Sequence, residues 1–176
     1  REPHTLSRPW VVPGTTGLEH RVGGLEKQDG GGNISYDALN HETMVRLRAA
    51  KVEAVVKDVP DVVPAGDPDG DLLIVGWGST YGAITAALRA QREKGHRIGH
   101  VHLRHLNPLP GNLGDVLKRY RRVLVPELNM GQLLWVLRAK YLVDAVGYPK
   151  VQGKPFKQSE LESKIDEILG ESSRMR

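Results

Sequence analysis

No cysteine occurs among the 176 residues of this chain. The segment therefore holds no disulfide, no thiolate set for an iron–sulfur cluster and no thiol nucleophile. Nor is there a run of about 18 or more apolar residues, which removes an apolar membrane-spanning helix from consideration. Strings that announce common chemistries are missing too: no Gly-x-Ser-x-Gly elbow, no phosphate-loop lysine, no His-Glu-x-x-His helix. An initiator Met is also lacking. The chain opens Arg1-Glu2-Pro3, and the expectation is a piece of a longer protein.

Charge is ordinary, with 25 Lys and Arg against 21 Asp and Glu and a net of +4. The densest basic spot, Lys118, Arg119, Arg121 and Arg122, is expected to end a helix, where cations meet the negative end of the macrodipole. A solvated helix terminus is preferred there over a nucleic-acid patch, while docking of an acidic protein stays open.

The chain's order of parts carries more information. From Arg1 to Tyr36 the sequence is aperiodic, with seven glycines between Gly14 and Gly32, yet it carries Trp10, Val11, Val12, Leu18 and Leu25, which a solvated linker would not need. A segment of this length without regular structure is expected to lie against another domain or a partner. Asn40 is the expected N-cap of a helix running towards Val59-Pro60. From Asp71 onward, β-branched runs alternate with helical periods. Strands are expected at Leu72–Val75, Ile98–Leu103, Val123–Val125 and Ala145–Tyr148. Helices are expected to start near Ser79 or Thr80 and to be capped by Asn112, by Asn129 and by a Ser159/Glu162 capping box. The second of these carries Leu113, Val116, Leu117 and Tyr120, and the last stops at Gly170 ahead of a frayed tail. Such alternation predicts an α/β fold, a parallel sheet with helices on both faces, with binding gathered where strands open into loops.

Several constellations invite chemical readings. Gly76-Trp77-Gly78 between a strand and a helix suggests a dinucleotide turn, but the third glycine falls at Gly82. The second strand also ends His102-Leu103-Arg104 without the ribose-binding acid. A tight strand-to-helix turn is preferred, whose Ser79, Thr80 and free N–H groups can hold an anion. Asp67, Asp69 and Asp71 alternate like a calcium loop, but Leu72 stands in place of its glycine and Gly78 in place of its bidentate Glu. His100 and His102 share one strand face, with His105 nearby; zinc would need further ligands from elsewhere, and packed histidines are preferred. Glu127, at a strand's carboxyl end, is the best single candidate for chemistry, the alternative being hydrogen bonds to loop backbone.

Six strings in order resemble one family: Gly17-Leu18-Glu19-His20, Gly32-Asn33-Ile34-Ser35-Tyr36, Gly76–Gly82, His105–Pro110, Pro126–Leu133 and Lys150–Phe156. They are similar to the alpha subunit of 2-oxoacid:ferredoxin oxidoreductases, particularly the 2-oxoglutarate type, from about Trp10 to Leu169. The resemblance implies the transketolase C-terminal-like domain, also described as domain II of pyruvate–flavodoxin oxidoreductases. This is a three-layer α/β/α fold around a mostly parallel five-stranded sheet, with an irregular Gly-rich N-terminal segment. It implies residues 1–40 as an interdomain segment on a missing domain or partner, and 41–176 as the domain itself, core 70–170. In the parent complex a 2-oxoacid is decarboxylated on thiamine diphosphate with Mg2+, the acyl group passes to coenzyme A, and electrons pass through an iron–sulfur cluster to ferredoxin. A beta subunit and the upstream alpha-subunit domain supply that machinery. None of these cofactors, no nucleic acid and no membrane is expected at this segment, and no family catalytic residue maps onto it. The implied location is cytoplasmic. Gly78, Ser79, Thr80, Asn107, Glu127 and Asn129 are the candidate cofactor-binding or interface residues, on strand-end loops near coenzyme A or the active-site mouth. The alternative is an independent nucleotide-binding module using the Gly76–Gly82 turn.

Overall fold

The computed structural model describes residues 1–20 and 23–174, and it divides into two compact units, Arg1–Val59 and Pro60–Arg176. In the first unit, the opening segment is a series of turns, with one short bridge pairing Lys27 and Ile34. Gly30 and Gly32 take positive φ in the loop between them. The helix α1 (Ala38–Ala54) starts three residues earlier than expected, because Asp37 accepts from the Asn40 N–H at 2.7 Å and acts as the N-cap. Asn40 has another task. Its side chain accepts from the Asp29 N–H at 2.9 Å and donates to the Lys27 carbonyl at 3.2 Å, stitching the glycine loop to the helix. Only Met44 of α1 is buried, while Val45, Val52, Leu39 and the upstream Trp10 are exposed. The unit therefore does not cover its own apolar surface.

The second unit is a five-stranded sheet in the order β1-β3-β2-β4-β5. Its strands are β1 (Ala65–Gly66), β2 (Gly70–Trp77), β3 (Ile98–Leu103), β4 (Tyr120–Glu127) and β5 (Ala145–Pro149). All pairs are parallel except β1 with β3, so the expected mostly parallel α/β sheet is what forms. Because side chains alternate across a strand, β2 sends Leu73 and Val75 to one face and Leu72 and Ile74 to the other. The first face packs on α3 (Leu113–Leu117) and α4 (Gln132–Tyr141) through Leu113, Val116, Leu133 and Leu137. The second packs on α2 (Tyr81–Glu93) and α5 (Gln158–Arg174) through Ile84, Ala87, Leu161 and Ile165. Both layers are fully buried at their centres, and the result is the three-layer α/β/α sandwich.

Local expectations fail where a side chain has a better partner. Tyr120 belongs to β4, not to the preceding helix, and its hydroxyl donates to the Asp67 carbonyl. The basic spot consequently straddles the helix end and the strand, with Arg121 ion-paired to Asp71 at 3.4 Å and Tyr120 too buried to stack on a base. Asn112 precedes α3, but its side chain leaves the helix uncapped and holds the main chain of Val62 instead. At the start of α5 the capping contact is Glu160 accepting from the Lys157 N–H at 2.8 Å, two positions earlier than the expected Ser159 and Glu162. That helix also runs through Gly170 to Arg174, the glycine being surface-exposed with open space at its missing side chain; Met175 and Arg176, the end of the expected tail, lie outside the described residues.

Gly99 shows how closely the sheet packs. A Cβ there would stand 2.8 Å from the Asp67 carbonyl and collide with the Tyr120 ring. Gly99→Ala is expected to break the Tyr120–Asp67 bond and cost about 2–4 kcal/mol in urea unfolding, the sum of overpacking and a lost buried hydrogen bond. An unchanged midpoint would contradict this packing.

Candidate functional site

The sheet's connections diverge at β2: the chain leaves it for β3 on one side and later returns to β4 on the other. Crevices beyond the carboxyl ends of two such strands are the usual binding places of open α/β sheets. Here that position lies between the ends of β2 and β4, at Trp77 and Glu127. It is closed by protein groups. Glu127 is 1 % exposed, and its two oxygens accept from four donors. These are the Trp77 indole Nε1 at 3.2 Å, the Asn129 amide at 3.2 Å, and the main-chain N–H groups of Leu133 at 2.9 Å and Leu134 at 3.1 Å. The Asn129 side chain in turn accepts from the N–H of Gly131 at 2.7 Å and of Gln132 at 3.3 Å. Gly131 precedes α4 at φ 95°, a turn that favours glycine. All four N–H groups that a helix start leaves unpaired are thus taken by two side chains, with negative charge at the positive end of α4.

The six residues singled out from sequence therefore separate. Glu127 and Asn129 come together as the cap of α4. Thr80 is buried and closes its own turn, its hydroxyl donating to the Trp77 carbonyl at 2.8 Å and accepting from the Trp77 N–H at 3.2 Å. Gly78 and Ser79 are exposed in the 3-10 turn Gly78–Thr80 that leads into α2, and Asn107 is exposed on a separate loop. Neither the Ser79 nor the Asn107 side chain is hydrogen-bonded among the described residues, so these two keep groups available for a partner.

The glycines do not divide their labour as a dinucleotide turn requires. Gly76 is the packing glycine: a Cβ there would lie 2.9 Å from the Thr80 hydroxyl and press into Ile84. Gly82, in the position that a nucleotide-binding turn uses for close helix packing, faces open space. The aspartates of the turn that lacked a calcium loop's glycine and glutamate each hold an arginine: Asp67 with Arg92, Asp69 with Arg97, Asp71 with Arg121. Among the described residues no group of three or more His, Asp or Glu is placed to take a metal ion. No helix among them is long and apolar enough to cross a membrane.

Sequence reasoning missed a cluster below the start of α2. His100 and His102 lie with ring centroids 5.8 Å apart, and Tyr81 covers both at 5.7 and 5.0 Å. Burial, aided by the neighbouring His102, pushes the His100 imidazole down to about 4. Burial likewise lowers His102, opposed by a hydrogen bond to the Gly78 backbone. The alternation of histidines was visible in sequence; the glycine at 76 that makes room beneath the helix was the available signal.

Residues 70–147 match the family described as "Pyruvate:ferredoxin oxidoreductase core domain II". The matched residues lie within the sheet unit. Over nearly the whole chain the similarity extends further. The chain is 53% identical over 92% of its length to 2-oxoglutarate oxidoreductase subunit KorA of Mycobacterium tuberculosis. It is 31% identical over 88% of its length to the alpha subunit of 2-oxoacid:ferredoxin oxidoreductase 2 of Aeropyrum pernix. Among solved structures, it superposes with a TM-score of 0.84 and 28% identity on 2-oxoglutarate:ferredoxin oxidoreductase from Magnetococcus marinus, determined with 2-oxoglutarate, coenzyme A and succinyl-CoA bound, covering 93% of this chain and 29% of that one. The resemblance expected from the six strings stands, and so does the fold it implied. The chain spans about a quarter of the length of the curated relatives above, 24% in each case.

Proposed function

We propose that this chain is the C-terminal scaffold and interface part of the alpha subunit of a thiamine-diphosphate-dependent 2-oxoacid:ferredoxin oxidoreductase, with 2-oxoglutarate as the 2-oxoacid. The single observation that carries the reading is the 53% identity to the mycobacterial 2-oxoglutarate oxidoreductase subunit across 92% of the chain. The geometry agrees with a supporting role. The Glu127 carboxylate at the topological switch point is committed to capping α4, and among the described residues no three His, Asp or Glu side chains are grouped to take a metal ion. No step of the decarboxylation or of electron transfer passes through these side chains. What the chain contributes is a rigid sheet whose Gly78–Ser79 and Asn107 loops face a beta subunit or the upstream alpha-subunit domain, near coenzyme A or the active-site mouth. Residues 1–40 lie as an interdomain segment on that domain or partner, and their exposed Trp10 and Leu18 are covered there. The assembled enzyme passes electrons to ferredoxin in the cytoplasm.

The test is direct. The purified chain is expected to show no turnover of 2-oxoglutarate with coenzyme A and a ferredoxin-type acceptor, and no calorimetric binding of NAD or NADP. It is expected to co-purify with a coexpressed beta subunit. Turnover by the chain alone would refute the supporting role, and nucleotide binding by the chain alone would assign it instead to an independent nucleotide module at Gly76–Gly82.

A further inference from the structure

The layer of α3 and α4 covers one sheet face with Leu113, Val116, Leu133 and Leu137, and its other side is open to solvent. Along α4 the helical period puts Trp135, Ala139 and Leu142 on one outward ridge, at i, i+4 and i+7. Trp135 is 65 % exposed and Leu142 90 %, and Met130, 80 % exposed, extends the apolar strip toward the carboxyl edge of the sheet. The indole N–H of Trp135 makes no hydrogen bond among the described residues. Leu142 is the more telling residue. It ends α4 at φ 52°, the left-handed position where glycine is usual, so a strained backbone holds a leucine side chain out in solvent.

Cations frame the ridge. Arg138 and Lys140 flank it on α4, and Lys118 and Arg119 follow α3 in the same layer. Asp144 answers Arg138 at 3.3 Å, and Asp115 is the layer's other exposed acid. Lys118 and Arg119 make no side-chain hydrogen bond or ion pair among the described residues. A second copy of the chain, related by a two-fold axis, would set these cations against one another, so the surface does not suit self-association. Aromatic and aliphatic anchors inside a cationic rim suit a different protein, one with acidic groups around an apolar stripe. Ala139, between two larger side chains, leaves a notch that receives a side chain from a helix laid along α4. We propose that this ridge docks an acidic amphipathic helix of the beta subunit, with Trp135 and Leu142 as its anchors. The inference rests on the reading of the chain as part of an alpha subunit, and it adds a second contact surface to the Gly78–Ser79 and Asn107 loops.

The test is the affinity of the purified chain for the purified beta subunit, measured by calorimetry. Trp135→Ala is expected to weaken binding by about thirtyfold or more, the scale of an interface hot spot. Leu142→Gly removes an anchor but relieves the left-handed backbone. Binding is therefore expected to weaken about tenfold while the urea unfolding midpoint stays the same or rises, a split that a general loss of structure would not produce. Lys118→Glu combined with Lys140→Glu is expected to weaken binding about tenfold in about 50 mM salt and much less in about 500 mM, because exposed charges are screened. Affinity unchanged in Trp135→Ala, in Leu142→Gly or in the charge reversals would overturn this inference and leave the alpha-subunit reading standing. No binding by the unaltered chain would overturn both. Vesicles of phosphatidylglycerol and phosphatidylcholine are expected not to bind; binding to them that Trp135→Ala abolishes would assign the ridge to a membrane surface and overturn the proposal.

Discussion

Glu127→Ala is expected to lower the stability of the sheet unit by about 3–5 kcal/mol, the range found when one partner of a buried, charge-assisted network is removed. The reason lies in the count of donors left behind. Leu133 N–H, Leu134 N–H, the Trp77 indole and the Asn129 amide all lose their acceptor in a position closed to water. Each unsatisfied buried donor costs about 1–3 kcal/mol, and relaxation of the α4 start recovers part of the sum. Glu127→Gln keeps the shape but turns an N–H2 group toward donors, so an intermediate loss of about 2 kcal/mol is expected. The measurement is urea unfolding followed by circular dichroism. A carboxylate that served chemistry would be removable with little structural penalty, as strained or under-satisfied active-site groups are. Unchanged stability of Glu127→Ala would therefore reverse the present assignment and restore Glu127 as a candidate for chemistry.

Stability is also expected to fall as the solution is acidified from near neutral to about pH 4.5, with His100 the main group responsible and the neighbouring His102, also lowered by burial, acting in the same direction. The imidazole is 3 % exposed, lies under the first turn of α2 beside His102 and Tyr81, and has its Nε2 unpartnered. Burial, with the His102 charge as a second cause, takes its pKa from 6.5 down to about 4. The folded state therefore binds this proton more weakly than the unfolded chain, and stability rises with pH across the window. The contribution is complete above the unfolded value of 6.5 and is lost progressively as pH falls towards about 4. Its full size is about 3 kcal/mol, at about 1.4 kcal/mol for each unit of displacement. His100→Leu is expected to flatten this dependence, so that the difference between pH about 7.5 and about 4.5 shrinks by about 2–3 kcal/mol. Asp67, held below its usual range mainly by Arg92, loses its contribution only below the ordinary carboxylate range, outside this window. Parallel pH profiles for the two proteins would show that His100 titrates normally.

What could be read from the chain and what could not follow physical lines. Strands β2 and β4 announced themselves because a strand buried on both faces reads as a continuous run of apolar residues, as Leu72–Val75 and Val123–Val125 do. Caps were read less well. Asn40, Asn112 and Ser159 all stand where a helix cap belongs, yet Asp37 and Glu160 do the capping at two of these ends. A short polar side chain chooses among local donors, and that choice depends on what the rest of the chain brings near. Asn40 meets the glycine loop and Asn112 meets Val62, fifty residues away.

The candidate site divides in the same way. That Glu127 and Asn129 sit at a strand end was legible, since it depends only on where an apolar run stops. That the two form one cap, completed by Trp77 from another strand, required the register of β2 against β4. The pairing of His100 and His102 follows from the two-residue period of a strand, but their burial beneath Tyr81 depends on α2 folding back over β3 past Gly76.

By itself the sequence determined the α/β class, the order of strands and helices and the kinship with oxidoreductase alpha subunits, because periodicity and local strings are properties of neighbours along the chain. The tertiary structure alone decided which polar groups are spent on holding the fold and which remain available. That distinction turns on partners and water access, and both are fixed only when distant segments meet.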